Sequence, residues 1–251
     1  MFDRIYANGC SFTKAGGLDQ SDIRQKYKKI LNIELDNDFI QYAYPNIISK
    51  KLNVNIINEA KSGSSVNRLI RKTYEYIYKN QSTISETLFI LELPTIWRDE
   101  IYSNQLNKII NVNTSIIQSD DILDEKLLKN LRLYFYEFVN IDFEYKKSMN
   151  NLLGLIYFLK HNNSNVIILD NCYFEQFLKN NNLNHNLNFV PFDNKLMHIW
   201  FAENKLTIND ELGMNIDGHA GISGNEKIAD IVLSYLNDNK IYPKKNNIKI
   251  I

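Results

Sequence analysis

The sequence predicts an α/β fold with helices on both faces of a parallel sheet. A near-continuous apolar run occupies residues 87–94, as is typical of a strand buried on both faces, and shorter apolar segments within 3–8 and 165–171 are interpreted as further buried strands. Between them lie segments in which apolar residues recur every three or four positions, as in amphipathic helices. Because strands and helices alternate along the chain, we expect right-handed βαβ units that build one parallel sheet.

In the amino-terminal half, a second strand and two helices are expected after the first apolar run. Residues 12–38 are polar and lack clear periodicity, so we expect a loop with one short helix there. The spacing of apolar residues predicts a helix over 41–53, and Pro45 suits its first turn. A strand at 54–60 then leads through a glycine-containing turn into a helix at 66–80.

The second half of the chain is less regular. We expect an irregular polar insertion around 102–124, followed over 125–161 by two helices that break near residues 140–142. Residues 172–212 show no clear pattern and are interpreted as a lid, in which "HIWFA" (198–202) is a short strand or part of the lid. An amphipathic helix is predicted over 223–239.

Composition limits the class of protein. The chain has 251 residues, 44% of them hydrophobic, which suffices for one core, and we expect a single domain over residues 1–251. Lys+Arg and Asp+Glu number 29 each, so no basic excess indicates nucleic acid as a partner. Cys10 and Cys172 are too few for a disulfide scaffold. With no signal-peptide pattern and no apolar stretch of about 18 residues, we expect a cytoplasmic protein without a membrane span.

Polar residues follow the predicted strands at the edge where parallel sheets carry their binding sites. Gly9, Cys10 and Ser11 follow the first strand, and a serine-rich turn around Gly63 follows the second. Thr95 and Arg98 follow the third strand, while Asp217 and His219 directly precede the last helix. We expect these segments to meet at one edge of the sheet.

These residue types match a nucleophilic site. A serine hydroxyl is a poor nucleophile until a histidine accepts its proton, and a carboxylate must hold that histidine in the right tautomer. Backbone N–H groups can bind the oxyanion that develops during acyl transfer. Ser11 is therefore the predicted nucleophile, His219 the base and Asp217 the orienting acid, with the N–H groups of Ser11 and Gly63 binding the oxyanion.

Three blocks of the sequence resemble the GDSL/SGNH hydrolase family. "GCSFT" (9–13) is similar to the family's G-D-S-x-[ST] block, and "NEAKSGSS" (58–65) to its N-x-A-x-x-G-x-S block. "DGHAGISGNEKIADIV" (217–232) is similar to its last block, D-x-x-H or D-x-H before a helix. The resemblance implies a three-layer α/β/α, flavodoxin-like fold (the SGNH hydrolase fold). It also implies a serine esterase that needs no metal or cofactor.

The substrate implied by the resemblance is a small-molecule or glycan ester. We expect removal of short acyl groups, most simply acetyl, from a carbohydrate or similar polar carrier. The sequence leaves the identity of the acyl group, the carrier and the oligomeric state open.

The chain departs from the family pattern in two blocks. Cys10 stands where the first block has Asp, and "ELPTIWRDE" (92–100) lacks the Gly and Asn of the family's G-x-N-D block. Loss of one oxyanion donor typically costs about 10²–10³ in rate, so a replacement is expected. Thr95, Arg98 and Asn67 are the candidates for that donor.

Several alternatives stay open at the level of sequence. Asp210 or Glu211 can replace Asp217 as the orienting acid, and Cys10 can replace Ser11 as the nucleophile.

Two other functions also fit the sequence. One is an acyltransferase that modifies a surface glycan precursor, and Trp97 and Trp200 are candidates for a sugar-stacking or acyl-binding wall. The other is a binding module on a hydrolase scaffold that has lost its activity, which the missing asparagine of the third block suggests.

Overall fold

A computed structural model describes residues 1–36, 38–95, 98–104, 106–113, 125–183 and 186–244 of the protein. The strands of this part of the chain are β1 (Arg4–Asn8), β2 (Asn55–Asn58), β3 (Thr87–Glu92), β4 (Arg98–Ser103), β5 (Lys108–Asn113) and β6 (Asn165–Leu169). Its helices are α1 (Ser11–Lys14), α2 (Ser21–Lys26), α3 (Tyr44–Leu52), α4 (Val66–Lys79), α5 (Glu125–Phe138), α6 (Ile141–His161), α7 (Phe174–Asn180), α8 (Met197–Glu203), α9 (Ile208–Leu212) and α10 (Ile222–Asp238).

The main sheet is parallel, with the strand order β2-β1-β3-β6. Beyond β6, the Val190 N–H donates to the carbonyl oxygen of Ile168, and the Ile168 N–H donates to the carbonyl of Asn188. The short segment 188–190 thus takes the fifth place of the 2-1-3-4-5 order found in flavodoxin-like folds. The predicted fold class is confirmed.

Helices cover both faces of this sheet. Along the fully buried strand β3, Phe89 and Leu91 face a cluster that includes Leu69 of α4 and Leu152 of α6. The alternate side chains, among them Ile90, face a second cluster that includes residues of α3 and α10. Because successive side chains of a strand point to opposite faces, one apolar run fills both layers of the core.

The insertion expected around 102–124 is not irregular where it is described. β4 and β5 form an antiparallel hairpin, and Ile110 and Val112 of β5 pack against Leu131 of α5. The alternation of apolar and polar residues in β5 is a strand signal, but it is short and lies among asparagines, so the sequence reading missed it. Residues 114–124 lie outside the described part of the chain.

The segment predicted as a lid, 172–212, contains α7, α8 and α9. Phe174, Phe201 and Ile208 from these three helices are fully buried, so the segment is packed into the core rather than detached from it. "HIWFA" (198–202) belongs to α8 and is helical, not a strand. A helix of seven residues is too short for its periodicity to be recognised. Within the described ranges, no helix has the length and apolar character needed to cross a bilayer.

Candidate active site

Ser11 lies in a tight turn at the carboxyl end of β1. The chain leaves β1 through Gly9 and Cys10, and the short helix α1 begins at Ser11 itself. A Cβ atom on Gly9 would lie 2.5 Å from Glu92 Oε2, so only glycine fits at this position. The turn holds Ser11 almost buried, with 5% of its surface exposed.

Ser11, His219 and Asp217 form a continuous chain of hydrogen-bonding atoms. Ser11 Oγ lies 2.7 Å from His219 Nε2, and His219 Nδ1 lies 2.5 Å from Asp217 Oδ1. Asp217 Oδ1 also accepts the backbone N–H of His219 at 2.8 Å. Because a carboxylate can only accept, Nδ1 carries the proton in this arrangement, and Nε2 is left to accept the hydroxyl proton of Ser11.

The Asp217 carboxyl stays ionised in this setting. Burial raises its pKa, but the hydrogen bonds from the ring and backbone of His219 outweigh that effect, and the net pKa lies below the ordinary value. The charge needed to hold the histidine tautomer is therefore present at neutral pH.

The loop before α10 places the acid and the histidine. Asn209 Oδ1 accepts the backbone N–H groups of Ile216 at 2.5 Å and Asp217 at 2.6 Å, and the Ile208 N–H donates to the carbonyl of His219. These bonds hold the loop against the first turn of α9.

The alternative acids have other partners. Asp210 Oδ2 accepts the N–H and the hydroxyl of Thr207 in a capping box at the start of α9. Glu211 accepts the N–H groups of Ile222 and Ser223 and so caps the first turn of α10. Of the three carboxylates, Asp217 is therefore the one that contacts His219 Nδ1 in the described structure.

Two backbone N–H groups, those of Ser11 and Gly63, lie in the turns that follow β1 and β2. Among the described residues, neither the Ser11 N–H nor the Gly63 N–H has a hydrogen-bond acceptor. Gly63 adopts φ +74°, and nothing lies within 4 Å of the point where its Cβ would stand. Its loop is tied to the Ser11 turn because the Lys61 N–H donates to the carbonyl of Gly9 at 3.3 Å. Both N–H groups are thus free to bind a ligand.

The three side chains predicted to replace the missing amide differ in their contacts. Asn67 is occupied, since its amide donates to Asp99 Oδ1 at 2.7 Å and its oxygen accepts from Ser148. Thr95 is half-buried, and its hydroxyl has no partner among the described residues. Arg98 Nη1 is buried and is the one buried side-chain nitrogen or oxygen without a hydrogen-bond partner in the described ranges. Arg98 thus has a buried donor without a partner, whereas the Asn67 amide already donates to Asp99.

Cys10 lies beside Ser11 but is not poised to react. Burial and the nearby Glu92 carboxylate raise the pKa of the Cys10 thiol to about 12, while the positive charge of Arg98 acts in the opposite direction. The thiol is therefore protonated at neutral pH, which excludes Cys10 as an activated nucleophile in this conformation. The influence of Arg98 also places its guanidinium within electrostatic range of the Ser11 turn.

Glu92 is a residue of the site that the sequence reading missed. Its fully buried carboxylate accepts the Cys10 N–H at 2.6 Å, the Thr13 hydroxyl at 3.2 Å and the Asn171 amide at 2.7 Å. It thereby joins β3, the Ser11 turn and the end of β6. A single carboxylate within the apolar run "LFILELP" is the signal that could have revealed it, because buried carboxylates need several donors.

The predicted aromatic wall is not supported by Trp200. This residue is buried, packs against Phe192 and Phe201, and its Nε1–H donates to Asp193. Trp97 lies outside the described residues. A cavity of about 560 Å³ beside α7 and α8 includes neither Ser11 nor His219 in its lining.

No known family profile matches the sequence, and no curated protein matches it. Solved structures do match. LAE5, described as an alpha/beta hydrolase enzyme from the metagenome of Lake Arreo, Spain, is 13% identical. The match covers 94% of this chain and 95% of LAE5, with a TM-score of 0.50. The chain shares the fold of this hydrolase.

Two further solved structures match with TM-scores just below that of LAE5. Psychrotrophic esterase EstA from Pseudoalteromonas sp. is 13% identical over 95% of this chain and 98% of its own, with a TM-score of 0.49. A member of the lipolytic protein G-D-S-L family from Veillonella parvula DSM 2008 is 14% identical over 92% and 96%, with a TM-score of 0.49. At these identities the likeness concerns the fold, so the activity is argued below from the geometry of the site.

Proposed function

We propose that this protein is a serine-dependent carboxylic ester hydrolase of the GDSL/SGNH type. The observation that carries the proposal is the chain from Ser11 Oγ through the His219 ring to Asp217, with contacts of 2.7 Å and 2.5 Å. A nucleophile, a base within hydrogen-bond reach and a third group that orients the base are the parts that acyl transfer requires.

In the first half of the reaction, Ser11 becomes acylated. Ser11 Oγ attacks the ester carbonyl carbon while His219 Nε2 takes the hydroxyl proton, and the carbonyl π electrons move to the oxygen. When this intermediate collapses, the bond to the alkoxy oxygen breaks and His219 returns the proton to the departing alcohol. Asp217 stabilises the imidazolium that exists between the two proton transfers.

In the second half, water releases the acyl group. His219 takes a proton from a water molecule that attacks the acyl-serine carbonyl, and the bond to Ser11 Oγ then breaks. His219 returns the proton to Ser11, the carboxylic acid leaves, and the enzyme is restored. An acceptor alcohol in place of water would turn the same steps into acyl transfer.

The oxyanion would be bound by the N–H groups of Ser11 and Gly63 together with Arg98. Support for Arg98 is its buried Nη1, which lacks a partner in the described structure. A buried N–H donor without an acceptor is costly, and a developing negative charge nearby is the partner that would offset the cost. Thr95 is the second candidate, while the engagement of Asn67 with Asp99 argues against Asn67.

We further propose a short acyl group, such as acetyl, on a carbohydrate or similar polar carrier. Close walls near the nucleophile support a small acyl group: the Phe12 ring centre lies 5.4 Å from that of His219 and is itself stacked on Phe201. The polar carrier rests on the family resemblance alone.

Hydrolysis of p-nitrophenyl acetate, butyrate and octanoate tests the function and the acyl length together. We expect turnover with the acetate to exceed that with the octanoate, and Ser11→Ala to lose at least about 10³ in kcat. Ser85→Ala is the matched control, because this exposed serine lies just before β3, at the end of the sheet opposite the site. A fluorophosphonate probe should label the wild type and the control but not Ser11→Ala.

Other outcomes decide between the alternatives. An acyltransferase would be labelled by the probe and would release a burst of p-nitrophenol with little further turnover. Its turnover would then become faster when a sugar alcohol is added. Absence of both labelling and turnover in the folded wild type would contradict the proposal and favour a binding module.

A further inference from the structure

The turn after α1 contacts both the proposed nucleophile and the proposed acid. The Gly16 N–H donates to the Ser11 carbonyl at 2.6 Å, and a Cβ on Gly16 would lie 2.6 Å from Ser11 Cβ. Gly17 adopts φ +86°, and a Cβ there would lie 2.9 Å from Asp217 Oδ2. Each glycine is needed for a different close approach, one to Ser11 and one to Asp217.

The same turn ends at Gln20, whose side chain reaches the acid. Gln20 Nε2 donates to Asp217 Oδ2 at 3.0 Å, while Asp217 Oδ1 is occupied by His219. The main chain of Gln20 is held from both sides, since its N–H donates to Gly17 O and its carbonyl accepts from Arg24, each at 3.1 Å. Both oxygens of the carboxylate therefore have a donor, and these two donors oppose rotation about the Cβ–Cγ bond.

We infer that the Gly16–Gln20 turn is a positioning element for the Ser11–His219–Asp217 chain, and that Gln20 is a positioning residue acting through Asp217. This inference rests on the proposed function for its catalytic meaning. If the Asp217 carboxylate rotates, it loses its aligned hydrogen bond to His219 Nδ1. A hydrogen bond donated to its second oxygen therefore keeps His219 oriented as the base in each turnover. The polar segment 12–38, which lacks periodicity, thus acquires a role in the site.

The charged and titratable groups around Asp217 determine how the site should respond to a new charge at position 20. His219 bonds to Asp217 directly. From the α2 side, Tyr27 also lies within electrostatic range. Its pKa is raised by burial, by its hydrogen bond to Glu211 of α9, and in part by Asp217. Gln20 is the neutral donor among these groups, so replacing it by glutamate adds one negative charge beside the acid.

Two variants test the inference. Gln20→Ala should lower kcat about threefold to tenfold with KM nearly unchanged, because hydrogen bonds to charged groups contribute at this scale. Gln20→Glu should lower kcat and move the acid limb of the kcat/KM profile to higher pH, since added negative charge favours the protonated imidazole. By NMR, the His219 ring should titrate at a higher pH in Gln20→Glu than in the wild type.

Gln25→Glu is the matched control. Gln25 is an exposed glutamine on the same helix, α2, and makes no contact with Asp217, so the same charge there should leave kcat and the His219 titration unchanged. If the Gln20 variants behave like Gln25→Glu in both measurements, the inference is overturned. The NMR titration needs no turnover, so it tests the contact of position 20 with the Asp217–His219 pair even if Ser11 proves not to be a nucleophile.

Discussion

Ser11 and His219 are separated by 208 positions in the chain, yet Ser11 Oγ and His219 Nε2 lie 2.7 Å apart. The contact arises because β1 is an inner strand of a parallel sheet, and the loop before α10 returns to the same edge. The carboxyl ends of parallel strands share one edge, so a turn after the first strand and a loop before the last helix can meet there.

Asp217→Asn should remove most of the activity while leaving the fold intact. An asparagine at this position favours the wrong histidine tautomer, and we expect kcat to fall about 10³–10⁴-fold, with KM changing little. Steady-state kinetics with p-nitrophenyl acetate measures the loss. Retention of more than a tenth of the wild-type kcat would exclude Asp217 as the orienting acid.

The same variant should alter the pH dependence of stability. The folded pKa of Asp217 lies below its ordinary value of 3.8, so its ionised form stabilises the fold above that value, and this contribution is lost as the pH falls further. We expect the wild type to lose more of its free energy of unfolding than Asp217→Asn when the pH falls from 5 to 3. Urea unfolding at a series of pH values checks this, and parallel curves for the two proteins would contradict it.

Arg98→Met should make the protein slower but more stable. Loss of an oxyanion donor should reduce kcat about 10²–10³-fold, with little change in KM. Removal of the unpartnered Nη1 donor should raise the melting temperature, because a buried N–H without an acceptor destabilises the folded state. Arg98→Lys keeps the charge and should recover part of kcat. A kcat within threefold of the wild type in Arg98→Met would eliminate Arg98 as the third donor.

Cys10→Ala should keep serine-dependent turnover. The Cys10 thiol has a pKa raised to about 12 by burial and by Glu92, so little thiolate exists to act as a nucleophile. We expect kcat within about tenfold of the wild type and a stability loss of about 1–2 kcal/mol from the small cavity. Iodoacetamide should not inactivate the folded wild type. Abolished turnover in Cys10→Ala alongside normal turnover in Ser11→Ala would reverse the assignment of the nucleophile.

Glu211→Gln should affect stability rather than catalysis. Its carboxylate caps the first turn of α10 and accepts the Tyr27 hydroxyl at 2.5 Å. Loss of the charge should cost about 1–2 kcal/mol of unfolding free energy. Denaturant unfolding and steady-state kinetics together check this, with kcat expected within a few-fold of the wild type. A loss of kcat as large as that of Asp217→Asn would point to Glu211 instead.

Much of the fold was predictable because its signals are local. The run over 87–94 is apolar throughout because the strand is buried on both faces. The segment 66–80 has the 3.6-residue period of a helix that buries one face. In both cases the pattern of apolar residues indicates which side chains are buried. The hairpin β4–β5 and the short helix α8 gave only weak signals of this kind. Each of these elements is seven residues long or shorter, so few positions are available to establish a period.

The sequence by itself determined the alternation of strands and helices, and with it the edge of the sheet where polar turns gather. Only the tertiary structure decided which members of those turns touch: Asp217 rather than Asp210 or Glu211 beside His219, and Arg98 rather than Asn67 with a buried nitrogen that has no partner. The physical reason is the distance along the chain over which each kind of interaction acts. Hydrophobic periodicity is encoded within a few residues, whereas a hydrogen bond between side chains depends on the path of the whole chain between them.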